Sequence, residues 1–142
     1  MGFSGRPFKP VLSMSHPPLE VHKYVSLVTF RKSGATVPTP VWFVLEGGRL
    51  YVWTIRTSGK IKRIKNNPKV TFAPCKMDGE PLGPYMDGVA SISVDDSSEE
   101  LNSKFRSKYG ILFTLDKFVT RVSGKQRVFV EVRADALRQE IA

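Results

Sequence analysis

Residues 50–72 read LYVWTIRTSGKIKRIKNNPKVTF, and this stretch decides the fold. The apolar run at 50–54 predicts a strand. Thr57 and Ser58 then indicate a helix start, because small hydroxyl side chains cap the free amides of a first turn. Two isoleucines follow at helical spacing, and the NNP at 66–68 is a stop signal. The order is therefore strand, short helix and a second strand at 70–74.

The same region concentrates the positive charge of the chain. The 142 residues carry a net charge of +9, and the stretch from Gly47 to Met77 contains basic residues but no acid. A lysine in the first turn of a helix opposes the helix dipole unless an anion is bound there. We therefore interpret Ser58 and Lys60 as ligands of a phosphate group at the helix N-terminus. The basic residues of the stretch are Arg49, Arg56, Lys60, Lys62, Arg63, Lys65, Lys69 and Lys76.

Two other interpretations of these charges stay open from the residues alone. Charge runs are usually solvated helix faces, and Lys62, Arg63, Lys65 and Lys69 fit that description. A basic patch also binds nucleic acid through counterion release. Surfaces for single-stranded nucleic acid interleave aromatic residues with the charges, and none lies between 54 and 68. That absence disfavours a nucleic-acid-binding barrel.

Length and composition predict one globular domain. A chain of 142 residues, 41% of them hydrophobic, can bury one core. We predict a flexible N-terminal tail at 1–15 and a single domain at 16–142. There is no apolar run of membrane-spanning length and no secretion signal, so we expect a cytoplasmic protein. Cys75 is the only cysteine, which predicts a structural thiol, with no disulfide and no metal site.

The remaining periodicity predicts mostly strands. We expect strands at 25–30, 35–45, within 85–94 and at 126–132, with Gly47 and Gly48 as a tight hairpin turn. Short helices are predicted at 17–24, 95–109 and 113–118. About six antiparallel strands predict a mainly β protein with flanking helices, arranged as a closed or split barrel. The segment at 41–45 is apolar on both faces, which favours a dimer.

The order and register of five segments resemble one superfamily. VSLVTF (25–30), TPVWF (39–43), LYVWT (50–54), TSGK (57–60) and NNPKV (66–70) look like the pyridoxamine-phosphate-oxidase-like flavin and deazaflavin oxidoreductases, the FMN-binding split-barrel superfamily. Within it, the chain is similar to the branch that uses coenzyme F420. The resemblance covers residues 20–135 and implies a split β-barrel that binds its cofactor at the interface of a homodimer.

The resemblance also implies which residues bind the cofactor. Ser58 and Lys60 match the phosphate ligands on either side of Gly59. The TPVW at 39–42 matches the strand beside the ring, so Trp42 is favoured over Trp53 as a ring wall. Charged residues without fixed equivalents are assigned here to the oligoglutamate tail of F420. The predicted set is Thr39, Pro40, Val41, Trp42, Thr54, Arg56, Ser58, Gly59 and Lys60, with Arg63, Lys65 and Lys76 for the tail.

Two departures separate the chain from pyridoxamine-phosphate oxidases that use FMN. Gly59 stands where those enzymes commonly have an arginine, and their C-terminal arginine and histidine pair has no match. The expected function is an F420H2-dependent reductase that transfers a hydride to an unidentified small unsaturated acceptor. An FMN- or haem-binding split barrel is the alternative. No catalytic side chain is assigned. Tyr85 and Tyr109 are candidate proton donors, against the commoner structural role of tyrosines.

Overall fold

The computed structural model describes residues 18–93 and 98–137. A 3-10 turn at Leu19–Val21 precedes the sheet, and the tail predicted at 1–15 lies outside the described residues. The predicted class, mainly β with flanking helices, is confirmed. The strands are β1 (Tyr24–Phe30), β2 (Thr36–Val41), β3 (Phe43–Glu46), β4 (Arg49–Ile55), β5 (Lys69–Cys75), β6 (Met86–Ile92) and β7 (Arg127–Arg133). The helices are α1 (Gly59–Asn66), α2 (Glu99–Tyr109) and α3 (Ile111–Val122).

All seven strands belong to one antiparallel sheet with the order β2-β1-β5-β6-β7-β4-β3. The strands at the two ends of this order, β2 and β3, are consecutive in the chain and are separated by Trp42 alone. The chain therefore connects one end of the sheet directly to the other. A sheet whose ends meet in this way is rolled up, and the fold is a split β-barrel.

The single strand predicted at 35–45 is two strands, so the sheet has seven strands where about six were expected. β2 pairs with β1, whereas β3 pairs with β4. Tyr109 holds the bend between them, because its hydroxyl accepts from the N–H of Phe43 and lies 2.9 Å from the carbonyl oxygens of Phe43 and Lys23. Its ring also stacks on Trp42, with centroids 4.4 Å apart.

Several local predictions hold in the sheet. Gly47 and Gly48 form the hairpin turn with φ of 61° and 77°, a region that favours glycine. Pro38 and Pro40 lie in β2, which pairs on one side only, as expected of prolines that lack an N–H donor. Residue choice in these segments therefore matches the backbone that each position requires.

The observed helix bounds agree less well with those predicted from the sequence. The helix predicted at 17–24 is a single 3-10 turn, because Tyr24 already pairs with Cys75 in the sheet. The segment predicted at 113–118 is the longer α3, although β-branched residues in its second half have low helix propensity. The predicted start at 95–97 lies outside the described residues, and α2 is capped by Ser98. None of the described helices is long and apolar enough to span a bilayer.

Apolar side chains form two cores. One fills the barrel, and the other lies where α2 and α3 cover β3, β4 and β7. In the second core Phe105 stacks on Phe113 and Phe129. Phe43 belongs to the first core and Val44 to the second, so β3 is buried on both faces within one chain. The dimer argument drawn from an uncovered strand at 41–45 is therefore wrong, and the dimer itself needs another basis.

We predict that Tyr109→Phe destabilises the protein by about 1–3 kcal/mol, because it leaves backbone groups of Phe43 buried without their partner. Tyr85→Phe is the matched control. Its hydroxyl donates to the Ser26 Oγ at 3.1 Å and not to a backbone group, and we expect a loss below about 1 kcal/mol. Urea unfolding of both variants measures the difference. Equal midpoints for the two variants would contradict this account of the bend.

Candidate cofactor site

The turn between β4 and α1 builds one end of the site. Ser58 is the N-cap of α1, and its backbone N–H donates to the carbonyl of Ile55 at 3.0 Å. Its side chain makes no capping bond, and its Oγ is buried without a hydrogen-bond partner among the described groups. Burying a hydroxyl unpaired costs about 1–3 kcal/mol. This oxygen therefore lacks the partner that a buried hydroxyl normally has, and a ligand at the helix N-terminus would supply one.

Lys60 lies in the first turn of α1 and is half-buried. Burial lowers the pKa of Lys60 below its ordinary value of 10.5, and the charges of Arg63 and Arg127 lower it further. The N-terminus of α1 adds a partial positive charge at the same place. Like charges gathered in this way repel one another, so a bound anion would stabilise the arrangement.

A pocket of about 270 Å³ lies beside Lys60. Five residues of the predicted set line it: Pro40, Val41, Trp42, Thr54 and Lys60. The bend after β2 places Pro40, Val41 and Trp42 in the same pocket wall as the end of β4. The described residues that complete the lining are Tyr24, Trp53, Asp116 and Arg127.

Arg127 and Asp116 are site residues that sequence reasoning missed. The Arg127 guanidinium donates to Asp116 Oδ2 at 2.5 Å and to Thr120 Oγ1 at 3.3 Å, and it lies 4.2 Å from the centre of the Trp53 ring. The signals were present in the sequence, since Asp116 is the only acid of α3 and Arg127 opens the apolar run at 128–130. Their partnership is a contact between a helix and a strand, which spacing alone does not reveal.

Trp53 also lines the pocket, although Trp42 was favoured from the sequence. Its side chain is 4% exposed, and its indole Nε1–H has no hydrogen-bond partner among the described groups. Buried tryptophans usually find an acceptor. Trp53 therefore contributes a buried ring to the pocket wall, beside the half-buried ring of Trp42.

The other predicted residues lie around the pocket without lining it. Ser58, Gly59 and Arg63 adjoin Lys60 on α1. Arg56 donates to Gln126 Oε1 at 2.7 Å, and Lys76 pairs with Glu80 at 3.3 Å. Thr39 is half-buried in β2 and Lys65 is exposed on α1. Their roles toward a cofactor stay predictions.

Three side chains considered for chemistry have structural contacts. The Tyr109 hydroxyl is bound to backbone groups of the bend, and burial raises the pKa of this phenol. Tyr85 donates to Ser26. Cys75 is buried, and its burial raises the pKa of the thiol, which disfavours a reactive thiolate.

A larger cleft of about 1070 Å³ lies at the other end of the β4–β7 ladder. Arg49 and Arg133 pair across that end, whereas Ile55 and Arg127 pair at the end beside the small pocket. Both arginines of the cleft bind Glu131, at 3.2 Å each, and Asp87 and Asp135 also line it. Its positive charges are therefore partly neutralised by the protein, whereas Lys60 has no carboxylate partner among the described residues.

The barrel topology agrees with comparison to known proteins. A sequence model described as pyridoxamine 5'-phosphate oxidase matches residues 17–140. The chain belongs to the pyridoxamine 5'-phosphate oxidase family. The superfamily expected from the sequence is thereby confirmed, and no curated protein matches the chain significantly.

Proteins of different kinds are among the solved structures similar to this family member. HutZ, a haem storage protein from Vibrio cholerae, has a TM-score of 0.64 and 15% identity, covering 89% of both chains. An F420 reductase has a TM-score of 0.52 and 21% identity, covering 82% of this chain and 90% of its own. A FAD-binding protein from Mesorhizobium loti has values of 0.58 and 12%, covering 90% and 89%. At these identities the likeness shows the fold alone.

We predict that the affinity for FMN, a flavin that carries a phosphate, falls with rising pH before the ordinary lysine range is reached. The lowered pKa of Lys60 means that the free protein loses this proton early, whereas a bound phosphate favours the charged form and raises the pKa. Titrations between about pH 7 and about pH 10 measure the fall. Lys60→Arg keeps its charge and should give a flat profile, and the same slope in both proteins would contradict the assignment.

Proposed function

We propose that this protein is an F420H2-dependent reductase that transfers a hydride to a small unsaturated organic acceptor. The observation that carries the proposal is the unpartnered, buried Ser58 Oγ beside half-buried Lys60 at the start of α1. Together they form a cradle for one phosphate group. The adjoining pocket, with two indole rings in its wall, suits a flat ring system.

The surplus of positive charge favours a deazaflavin over FMN. In the described part of the chain, no carboxylate pairs with the basic side chains of α1. One phosphate of FMN needs a single cradle, whereas F420 continues into several glutamate carboxylates. Exposed Lys65, in the last turn of the same helix, gives such a tail a partner. We extend the same role to Lys76.

Haem is the weaker alternative. A haem iron takes an axial ligand from histidine, cysteine, methionine or tyrosine. Of these residue types, the described wall of the pocket contains only Tyr24. The similarity to a haem storage protein therefore supports the fold more than the ligand.

In this proposal the chain binds the cofactor, orients the acceptor and excludes water from the site. Reduced F420 supplies the hydride from its C5 position. Ser58, Lys60 and the first amides of α1 hold the phosphate, and Pro40, Val41 and Trp42 flank the ring. The Arg127–Asp116 pair presents polar groups to the same pocket. No proton donor is assigned, and the cytoplasmic location stays a prediction.

We also propose that the site is completed by a second copy of the chain. A volume of about 270 Å³ lies below the range of about 300–1,000 Å³ usual for ligand pockets. The outward face of α3 is apolar, although no other part of the described chain covers it. A helix that is apolar on both faces is normally buried. The apolar residues of this α3 stripe, each more than half exposed, are Ile111, Leu112, Leu115, Phe118, Val119 and Val122.

The position of the α3 stripe connects it to the site. Asp116 lies on the same helix, at the border of the stripe, and lines the pocket. A partner that packs on the stripe would therefore stand beside the pocket mouth. The predicted homodimer with cofactor sites at its interface thus gains a physical basis in α3.

We predict that purified protein binds F420 more tightly than FMN, and that haem binds more weakly than either. The reason is the unneutralised positive charge around the phosphate cradle, which a ligand with several carboxylates uses more fully. Fluorescence and absorbance titrations with all three ligands, repeated at high salt, measure the order of the three affinities. Salt should weaken F420 binding more than FMN binding. Tighter binding of FMN, or its copurification at full occupancy, would replace the deazaflavin assignment with a flavin one.

We predict that Leu115→Glu converts a dimer into a monomer and weakens F420 binding, because a charge in the α3 stripe cannot be buried. Val89→Glu is the matched control, since Val89 is an exposed apolar residue on β6, away from the stripe. Light scattering at micromolar concentration gives the mass. A monomeric wild type, or a dimer that survives Leu115→Glu, would contradict the α3 interface.

A further inference from the structure

Arg63 was assigned from the sequence to the cofactor tail, but its side chain folds back toward the start of its own helix. Its Nε donates to Thr29 Oγ1 at 2.6 Å, and Thr29 is fully buried in β1. A Cβ atom built on Gly59 would lie 2.8 Å from Nη1 of Arg63. The guanidinium therefore occupies the space where a side chain at position 59 would begin.

This position places Arg63 at the phosphate cradle. Gly59 lies between Ser58 and Lys60, so a group above it stands beside both ligands of the cradle. The charge of Arg63 also acts on Lys60, whose pKa it lowers. Nε is used by Thr29, whereas the Nη nitrogens have no acceptor among the described residues. A guanidinium with free, forked donors matches the oxygens of a phosphate.

We propose that Arg63, anchored by Thr29, is a phosphate-contacting residue of this site, and that Gly59 is glycine because the guanidinium needs its space. Arg63 thus adds, from the second turn of α1, a second cation beside Lys60 of the first turn. This inference rests on the proposed function, because it requires a cofactor that carries a phosphate. It leaves Lys65 and Lys76 as the residues assigned to the tail.

The test compares ligands with and without the phosphate. FMN is paired with riboflavin, and F420 is paired with its phosphate-free ring and ribityl core. The pair whose phosphate-bearing member binds more tightly to wild type is used for the comparison. Arg63→Ala should weaken binding of the phosphate-bearing ligand about tenfold, the scale of a charge-assisted hydrogen bond, and leave the phosphate-free core within about twofold. Lys62→Ala is the control, because Lys62 is an exposed cation on the same helix.

Gly59→Ala separates a contact from a structural role. It keeps every charge, and the helix propensity of alanine offsets part of the cost of losing the Arg63–Thr29 hydrogen bond. Its Cβ displaces the guanidinium, and binding of the phosphate-bearing ligand should weaken at least about threefold. This variant decides the matter if Arg63→Ala does not fold.

The outcomes distinguish the two proposals. If wild type binds a phosphate-bearing ligand while Arg63→Ala behaves like Lys62→Ala, or loses both ligands of the pair equally, the role of Arg63 is overturned and the proposed function stands. Unchanged binding by Gly59→Ala overturns it as well. If wild type binds neither F420 nor FMN, the proposed function falls and this inference falls with it.

Discussion

The hydrogen bonds between the Tyr109 hydroxyl and the backbone of Phe43 are the constraint on which the barrel depends. They fix the bend at Trp42 that lets one segment pair at both ends of the sheet. Without this bend, β2 and β3 would run on as one strand and the sheet would stay open. The bend also turns Pro40, Val41 and Trp42 toward the end of β4. The same bend therefore closes the barrel and forms the pocket wall.

Electrostatics then distinguish this pocket from the rest of the surface. In the large cleft, Glu131 binds Arg49 and Arg133, so charge is balanced within the protein. Around Lys60 the balance is incomplete, because Asp116 pairs with Arg127 whereas Lys60 and Arg63 have no carboxylate partner in the described chain. Burial makes that repulsion stronger than it would be in water. A phosphate at the start of α1 is the simplest group that relieves it.

Local signals in the sequence were enough to predict most of the fold. The glycine pair at 47–48, the prolines of β2 and the stop after Asn66 each act through backbone geometry, which a short segment encodes by itself. The bend at Trp42 was missed because the run at 41–45 has no glycine and is apolar throughout. The length of α3 was missed because its second half has low helix propensity and is held by the tertiary contacts of Thr120, which is buried and accepts from Arg127.

The candidate site divides in the same way. Ser58, Lys60 and the wall at 40–42 were found from the order of segments, whereas Arg127, Asp116 and the inward fold of Arg63 depend on contacts between elements distant in the chain. The central claim is that the start of α1 holds a phosphate. A crystal structure of the protein with F420 tests it most directly. The account predicts the phosphate within hydrogen-bond distance of Ser58 Oγ, and a phosphate bound instead in the cleft between Arg49, Lys69 and Arg133 would contradict it.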